Sequence, residues 1–373
     1  MLRRLLRSKW ATLPARSCTI QSCASTRKLN TQIETASSSR ILNILEPKVH
    51  FNMSASGIQS DGDGQTSTTC TGSDVAKTKL IFHSAQHQQT YEQQTSIVSL
   101  SPLASLPEAD QGLFKLPQEI SAPIFAITTG STIFHPQGGG QPSDIGELLI
   151  SQDGTQLTFN VLTVRTSATN SLVVLHFGHF ATDPPPTQNF SGASVKQLVN
   201  PDKRQLFSRL HTAGHVLGAA TRTLLEDKVE NLDELKASHF PDSAACEFQG
   251  SIDGKYKPEI QHAVDEMVSK DAEVRIAWWT KADFLRRGLG RLVPSDEDWR
   301  AIAIAVDEEG LEQPAEDGAV DDERTRIRVV DIVGSEVYPC GGTHVSSTKQ
   351  CGKVTVKKIS RQKGNSRVSY LVD

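Results

Sequence analysis

Residues 181–195 read ATDPPPTQNFSGASV, and the three consecutive prolines at 184–186 constrain this chain more than any other stretch. Proline fixes φ and has no backbone N–H to donate, so neither a central strand nor a helix passes through such a triplet. The chain must change architecture there. Before the prolines the signals are β. LTFNVLTV (157–164) and VVLHF (173–177) are short β-branched or aromatic runs. GELLISQDGTQLTFNVL (146–162) reads as a hairpin turning at Asp153-Gly154. After the prolines the period becomes helical. Leu206, Leu210, Val216, Leu217, Leu224 and Leu225 recur at helical spacing within residues 195–228. PEIQHAVDEMVSKDAEV (258–274) is a second helix with Pro258 in its first turn. Strands close the chain at RTRIRVVDIVG, KVTVKKIS and SRVSYLVD.

The expected organisation is therefore a leader over 1–75, a small β-barrel over 76–182, a Pro-rich linker over 183–199, and an α+β domain over 200–373. In the last, helices lie on one face of an antiparallel sheet. The leader carries seven basic residues in its first 33 positions and no acid, and MLRRLLRSKW sets leucines against arginines. It reads as a mitochondrial transit peptide, against the plainer alternative of an untargeted basic tail. Initiation at Met53 would add a cytosolic form. Six scattered cysteines suggest no disulfide framework, and no apolar run is long enough to span a bilayer. Residues 294–323 are crowded with Asp and Glu and read as an exposed insertion without chemistry.

Within the first helix, HTAGH places His211 and His215 four apart, one turn along a single face. The zinc-protease form of that spacing is HExxH, whose glutamate is the general base. Here Thr212, Ala213 and Gly214 stand between the histidines, so no base is supplied. Farther on, SEVYPCGGTHVSS places Cys340 and His344 four apart in a loop that its glycines let fold tightly. Each half alone is weak. Together His211, His215, Cys340 and His344 make a plausible tetrahedral zinc set. A third motif, TIFHPQGGGQPSDIGEL (132–148), puts three glycines together, which suits a main chain lying close to a ligand or to another backbone. Gln141 and Asp144 border that loop. It lacks GK[ST], so a phosphate-binding loop is disfavoured.

FHPQGGGQPSDIG, HTAGH and CGGTH, in that order, resemble the freestanding alanyl-tRNA editing proteins and the editing domain of alanyl-tRNA synthetase. The likeness covers roughly residues 78–373. It implies a barrel of the translation-protein type followed by an α+β editing domain. The implied activity is hydrolysis of the ester that joins serine or glycine to tRNA(Ala), by a trans-acting proofreader with mischarged tRNA as partner. It also implies zinc held by His211, His215, Cys340 and His344, and an editing pocket bordered by Gln141, with Asp144 in the same motif. SHFP (238–241) is a candidate for the pocket rim. No general base is assigned, and four protein ligands also fit a purely structural zinc.

Such an enzyme answers an energetic need, since one methyl or hydroxyl is discriminated by only about 1–3 kcal/mol in an apolar pocket. Two rivals remain. A threonyl-type editor would remove serine from tRNA(Thr) with similar half-motifs, although the glycine loop and CGGTH favour the alanyl side. A non-catalytic protein would use zinc as a staple and merely bind tRNA. For RNA contact the net charge of −4 is unhelpful. Its distribution is better: no acid occurs from Val337 to Val372, where Lys349, Lys353, Lys357, Lys358, Arg361, Lys363 and Arg367 cluster. Lys281, Arg286, Arg287 and Arg291 form a second basic stretch.

Overall fold

The protein is described by a computed structural model that covers residues 77–115, 117, 120–152, 154–182, 190–306 and 325–373. The leader, Met53, Asp153, the proline triplet and most of the acidic stretch lie outside the described residues. The first half of the chain runs β1 (Lys79–Leu80), β2 (Glu92–Pro102), α1 (Glu108–Gln111), β3 (Phe125–Thr129), β4 (Ser131–Thr132), β5 (Gly146–Gln152), β6 (Thr155–Thr166), β7 (Val174–Phe180) and β8 (Ser194–Val199). Six of these strands close a barrel in the order β2-β3-β7-β6-β5-β8. Alternate side chains point inward, so Ile97, Ile127, Leu148, Ile150, Phe159 and Val195 fill it. Each large apolar side chain buried this way contributes about 1.5–3 kcal/mol. The expected hairpin pairs β5 with β6 as far as Gln152 and Thr155, and its Asp153 lies outside the described residues.

One boundary moves. The linker expected to run to residue 199 ends earlier, because Ser194–Val199 is β8 and pairs with both β2 and β5. Val195 and Val199 alternate inward with Gln197, whose amide serves the backbone of Ile133 and Ser131, so this short strand completes the barrel. The chain then enters the long helix α2 (Pro201–Leu225) at once. Asn200 caps it by accepting from the Lys203 N–H at 3.0 Å, and Pro201 occupies the first turn, where no donor is needed.

The second half continues β9 (Asp233–Ser238), β10 (Ala245–Gln249), α3 (Lys257–Ser269), β11 (Val274–Trp279), α4 (Lys281–Arg286), α5 (Asp296–Ile302), β12 (Ile304–Ala305), β13 (Thr325–Ile332), β14 (Glu336–Pro339), β15 (Val354–Gln362) and β16 (Asn365–Val372). One antiparallel sheet orders β15-β16-β10-β9 and packs against α2 and α3. The other orders β11-β13-β12, with β14 on β13. The mixed α+β reading holds for the described residues. The start of the acidic stretch is not a bare insertion, however. Helix α5 buries Trp299 completely beside Phe284 and Val329, and Trp299 Nε1 donates to Thr325 Oγ1 at 3.0 Å. Its acids sit in the first turn, where they favour the helix N-terminus. No helix among the described residues is long and apolar enough to cross a membrane.

Helix α2 is buried nearly all round. Ala213, Val216, Leu217 and Ala220 meet Phe248, Val356 and Val368 of the sheet. A helix enclosed on every side must satisfy its polar side chains internally. Arg204 does so in the first turn. Its guanidinium grips Asp144 of the glycine-loop motif through Nε at 3.0 Å and through Nη2, and it donates to Ile133 O at 2.6 Å and Gln88 O at 3.2 Å. Both charged groups are buried.

Two stability predictions follow from these contacts. Asp144→Ala leaves Arg204 as an uncompensated buried cation, and urea unfolding should show a loss of about 3–5 kcal/mol. An unchanged midpoint would mean that the pair does not hold the helix. Glu234 of β9 lays its carboxyl over Gly218 of α2, beside the Tyr338 hydroxyl. Burial pushes its pKa up to about 7, with Arg222 opposing. Folding thus favours the protonated acid. That contribution is fully present below the unfolded value of 4.5 and is lost as pH rises through about 7. Glu234→Gln should therefore stabilise the fold by about 1–3 kcal/mol at pH 8 and by nothing measurable below pH 4. Equal midpoint shifts at the two pH values would refute the assignment.

Candidate metal centre

His211 and His215 project from the middle of α2, while β14 delivers Cys340 and the loop after it delivers His344. All four are buried, and their donor atoms lie within 4.8 Å of one another. Cys340 Sγ stands 3.4 Å from His211 Nε2 and 3.4 Å from His344 Nε2. Zinc–sulfur and zinc–nitrogen bond lengths place such atoms about 3.5 Å apart around a tetrahedral ion. The group can therefore hold a metal ion.

The surrounding hydrogen bonds fix how each donor faces. Gln141 Oε1 accepts from the Thr343 backbone N–H at 3.0 Å and from His211 Nδ1 at 2.7 Å. That leaves His211 Nε2 with a lone pair toward the centre. Thr212 gives its hydroxyl proton to Ser208 O at 2.9 Å, so its oxygen accepts from His344 Nδ1 at 3.2 Å and from the Val345 N–H at 3.2 Å. His344 Nε2 is turned inward by the same logic. His215 stacks on Tyr338 with ring centroids 4.1 Å apart, and its Nε2 is buried with no hydrogen-bond partner. An orphaned imidazole nitrogen among three other donors is the observation that fits a metal ligand best.

Electrostatics agree with ligation. Burial holds His211, His215 and His344 well below the usual histidine pKa, and neighbouring imidazoles push in the same direction, so each stays neutral. Burial raises the Cys340 thiol, while Arg328 and the Gly342 N–H oppose that rise. Arg328 lies behind the cysteine, donating to Cys340 O and, at 2.9 Å, to His83 O. Gly342 cannot be larger, since a Cβ there would run into the His211 ring and Gln141 Oε1.

The structure thus brings five of the six sequence candidates to one place. Gln141 is completely buried and touches His211 and Thr343 rather than open space. It braces the donor group. Asp144 is not at the group: its carboxylate is taken by Arg204 and by the His135 N–H at 2.6 Å. The glycine loop approaches backbone, with Gly140 O accepting from the His239 N–H at 2.8 Å.

Two residues at the centre were not singled out by the sequence, and a third was reached only through its segment. Thr212 and Thr343 lie inside the two half-motifs, so their position was the available signal. His239, in the SHFP segment, stacks on His211 with centroids 4.1 Å apart. Burial pushes its pKa down to about 3. Nothing in its spacing marks it. The second basic stretch is largely neutralised: Lys281 pairs with Asp296, Arg286 and Arg287 with Asp283, and Arg291 with Glu336. In the C-terminal run, Lys349, Lys353, Arg361 and Arg367 have acidic neighbours, whereas Lys357, Lys358 and Lys363 are exposed without an ion pair among the described residues.

Comparison with known proteins gives the same direction. Residues 327–369, which contain Cys340 and His344, match the family of the threonyl and alanyl tRNA synthetase second additional domain. The chain is 27% identical over 261 residues to an alanine–tRNA ligase of Methanosphaera stadtmanae, covering 66% of this chain and 24% of the ligase. It is 26% identical over 239 residues to the alanyl-tRNA editing protein AlaX-L of Pyrococcus horikoshii, covering 64% of this chain and 49% of the relative. With AlaX-M of Methanosarcina barkeri it shares 25% identity over 255 residues, 66% of this chain and 89% of that protein. The chain therefore spans about a quarter of the ligases and half of AlaX-L. It is similar to the alanyl-tRNA editing proteins and to a segment of the alanine–tRNA ligases, and its residues 327–369 match the second additional domain that is named for the threonyl and alanyl tRNA synthetases.

Proposed function

We propose that this protein is a zinc-dependent aminoacyl-tRNA hydrolase that removes serine, and also glycine, from mischarged tRNA(Ala) in trans. The observation that carries the reading is the buried group of three imidazoles and one thiol, assembled from the two half-motifs and braced by the glycine-loop Gln141. The names of its relatives, two alanyl-tRNA editing proteins and the alanine–tRNA ligases, support the substrate class. His211, His215, Cys340 and His344 would hold the zinc. When bound there, it supplies a Lewis acid for an ester carbonyl or an anchor for an amino group.

The chain's own residues do the positioning. Gln141 and Thr212 fix the histidine tautomers, so the donor geometry costs no rearrangement when the substrate arrives. Burial of all four donors keeps water scarce, which strengthens every polar contact made inside. Lys357, Lys358 and Lys363 of the β15–β16 hairpin are the cations best placed to meet RNA phosphates, since no carboxylate among the described residues pairs with them. A second reading keeps the zinc but not the chemistry, because four protein donors are the pattern of a closed structural site.

The reaction itself separates the readings. The protein is incubated with Ser-tRNA(Ala), Gly-tRNA(Ala), Ala-tRNA(Ala) and Ser-tRNA(Thr), with and without a zinc chelator. Release of serine and glycine from tRNA(Ala), sparing alanine and abolished by the chelator, is the expected result. Cleavage confined to Ser-tRNA(Thr) would move the protein to threonyl-type editing, and tRNA binding without cleavage would establish the staple. Cys340→Ala should lower bound zinc from one equivalent to under about a tenth and slow hydrolysis at least about 100-fold. Retained metal with full activity would remove Cys340 from the ligand set.

A further inference from the structure

One imidazole at the centre is used by nothing described so far. Tyr370 gives its hydroxyl proton to Leu210 O at 2.8 Å. Its oxygen must therefore accept from His239 Nδ1, 2.7 Å away. With the proton fixed on Nδ1, His239 Nε2 is left as a lone-pair acceptor. His239 is 1% exposed. It is not one of the four grouped donors, yet its ring lies 4.1 Å from that of His211 and 6.1 Å from that of His215, centroid to centroid.

The surroundings look built to hold this ring. Its own backbone N–H is tied to Gly140 O. A Cβ on Gly140 or on Gly214 would press on the imidazole, so a glycine from each of two separate motifs makes room for it. Gly140 also has φ +79°, a conformation that few other residues adopt without strain.

We propose that His239 is a specificity-determining residue, whose Nε2 accepts a hydrogen bond from the side-chain hydroxyl of a seryl ester held at the neighbouring donor group. This deepens the editing reading and rests on it. An acceptor lone pair on a buried ring favours a ligand that brings a donor and penalises one that does not. Serine brings its hydroxyl. Alanine brings a methyl that leaves the lone pair unmet and excludes water from the spot. Glycine leaves that space open, so a water molecule can donate in its place. One acceptor thus separates serine and glycine from alanine without a size filter.

The test compares the full chain with its His239→Asn, His239→Gln and Tyr370→Phe variants on Ser-tRNA(Ala) and Gly-tRNA(Ala), with bound zinc measured for each. Asparagine keeps a donor toward Tyr370 but has no atom at the Nε2 position, whereas glutamine reaches that position. His239→Asn should lose about 100-fold in kcat/KM on the seryl ester and under about threefold on the glycyl ester, with zinc retained. His239→Gln should recover at least about tenfold of the seryl loss. Tyr370→Phe releases the tautomer and should lower the serine-to-glycine ratio in the same direction. Equal losses on both esters, or loss of zinc, would make His239 structural and overturn the proposal. If His239→Asn does not fold, an unchanged serine-to-glycine ratio in Tyr370→Phe overturns it equally. Failure of the unmodified protein to cleave either ester would instead bring down the editing reading beneath it.

Discussion

The buried ion pair between Arg204 and Asp144 is the contact on which the rest of the arrangement depends. Arg204 stands in the first turn of α2, and Asp144 stands three residues past Gln141. Joining them sets the height of the helix against the glycine loop. From that setting follow the Gln141 contact with His211, the His211 contact with Cys340, and the backbone bond from Gly140 to His239. A buried charge pair is a poor source of net stability, but it is intolerant of misplacement. That suits a junction that must hold donor atoms to a fraction of an ångström.

The three residues between the histidines of HTAGH each have a use, and a metalloprotease glutamate would displace the first of them. Thr212 orients His344, Ala213 is completely buried in the helix core, and Gly214 leaves space for His239. The same economy appears in CGGTH, where Gly342 leaves room for His211 and Thr343 holds Gln141 through both its backbone and its hydroxyl. Motif residues that look like spacers in one dimension are the walls of the site in three.

The four grouped residues were legible because two half-motifs repeat a spacing that suits metal ligation, and the helix under HTAGH was legible because its leucines keep a period. The hairpin at residues 146–162 was legible from alternation and turn chemistry. Other parts left weaker traces. β8 was absorbed into the linker because the prolines beside it dominate the local signal, while its six residues carry only three apolar side chains. β9, DELKAS, is polar because it is an edge strand with most side chains half-buried. Trp299 was hidden by the acids of its own first turn. Asp144 was read with Gln141 because they share a motif, yet they point to different partners: one to a guanidinium, the other to an imidazole. His239 had no period or pair to announce it beyond its place in the SHFP segment, and its contacts with His211 and Tyr370 are made by tertiary packing.

The donor group draws on residues more than a hundred positions apart, and its bracing comes from the barrel loop. The 43-residue segment matched by the synthetase domain holds only the Cys340–His344 half. Gln141 touches both halves, His211 of one and Thr343 of the other. A metal ion held there would therefore bind a chain whose helix, loop and barrel are already docked. The ion would act as an inspection of the finished tertiary structure, and its affinity would measure how well distant parts of the polypeptide have found one another.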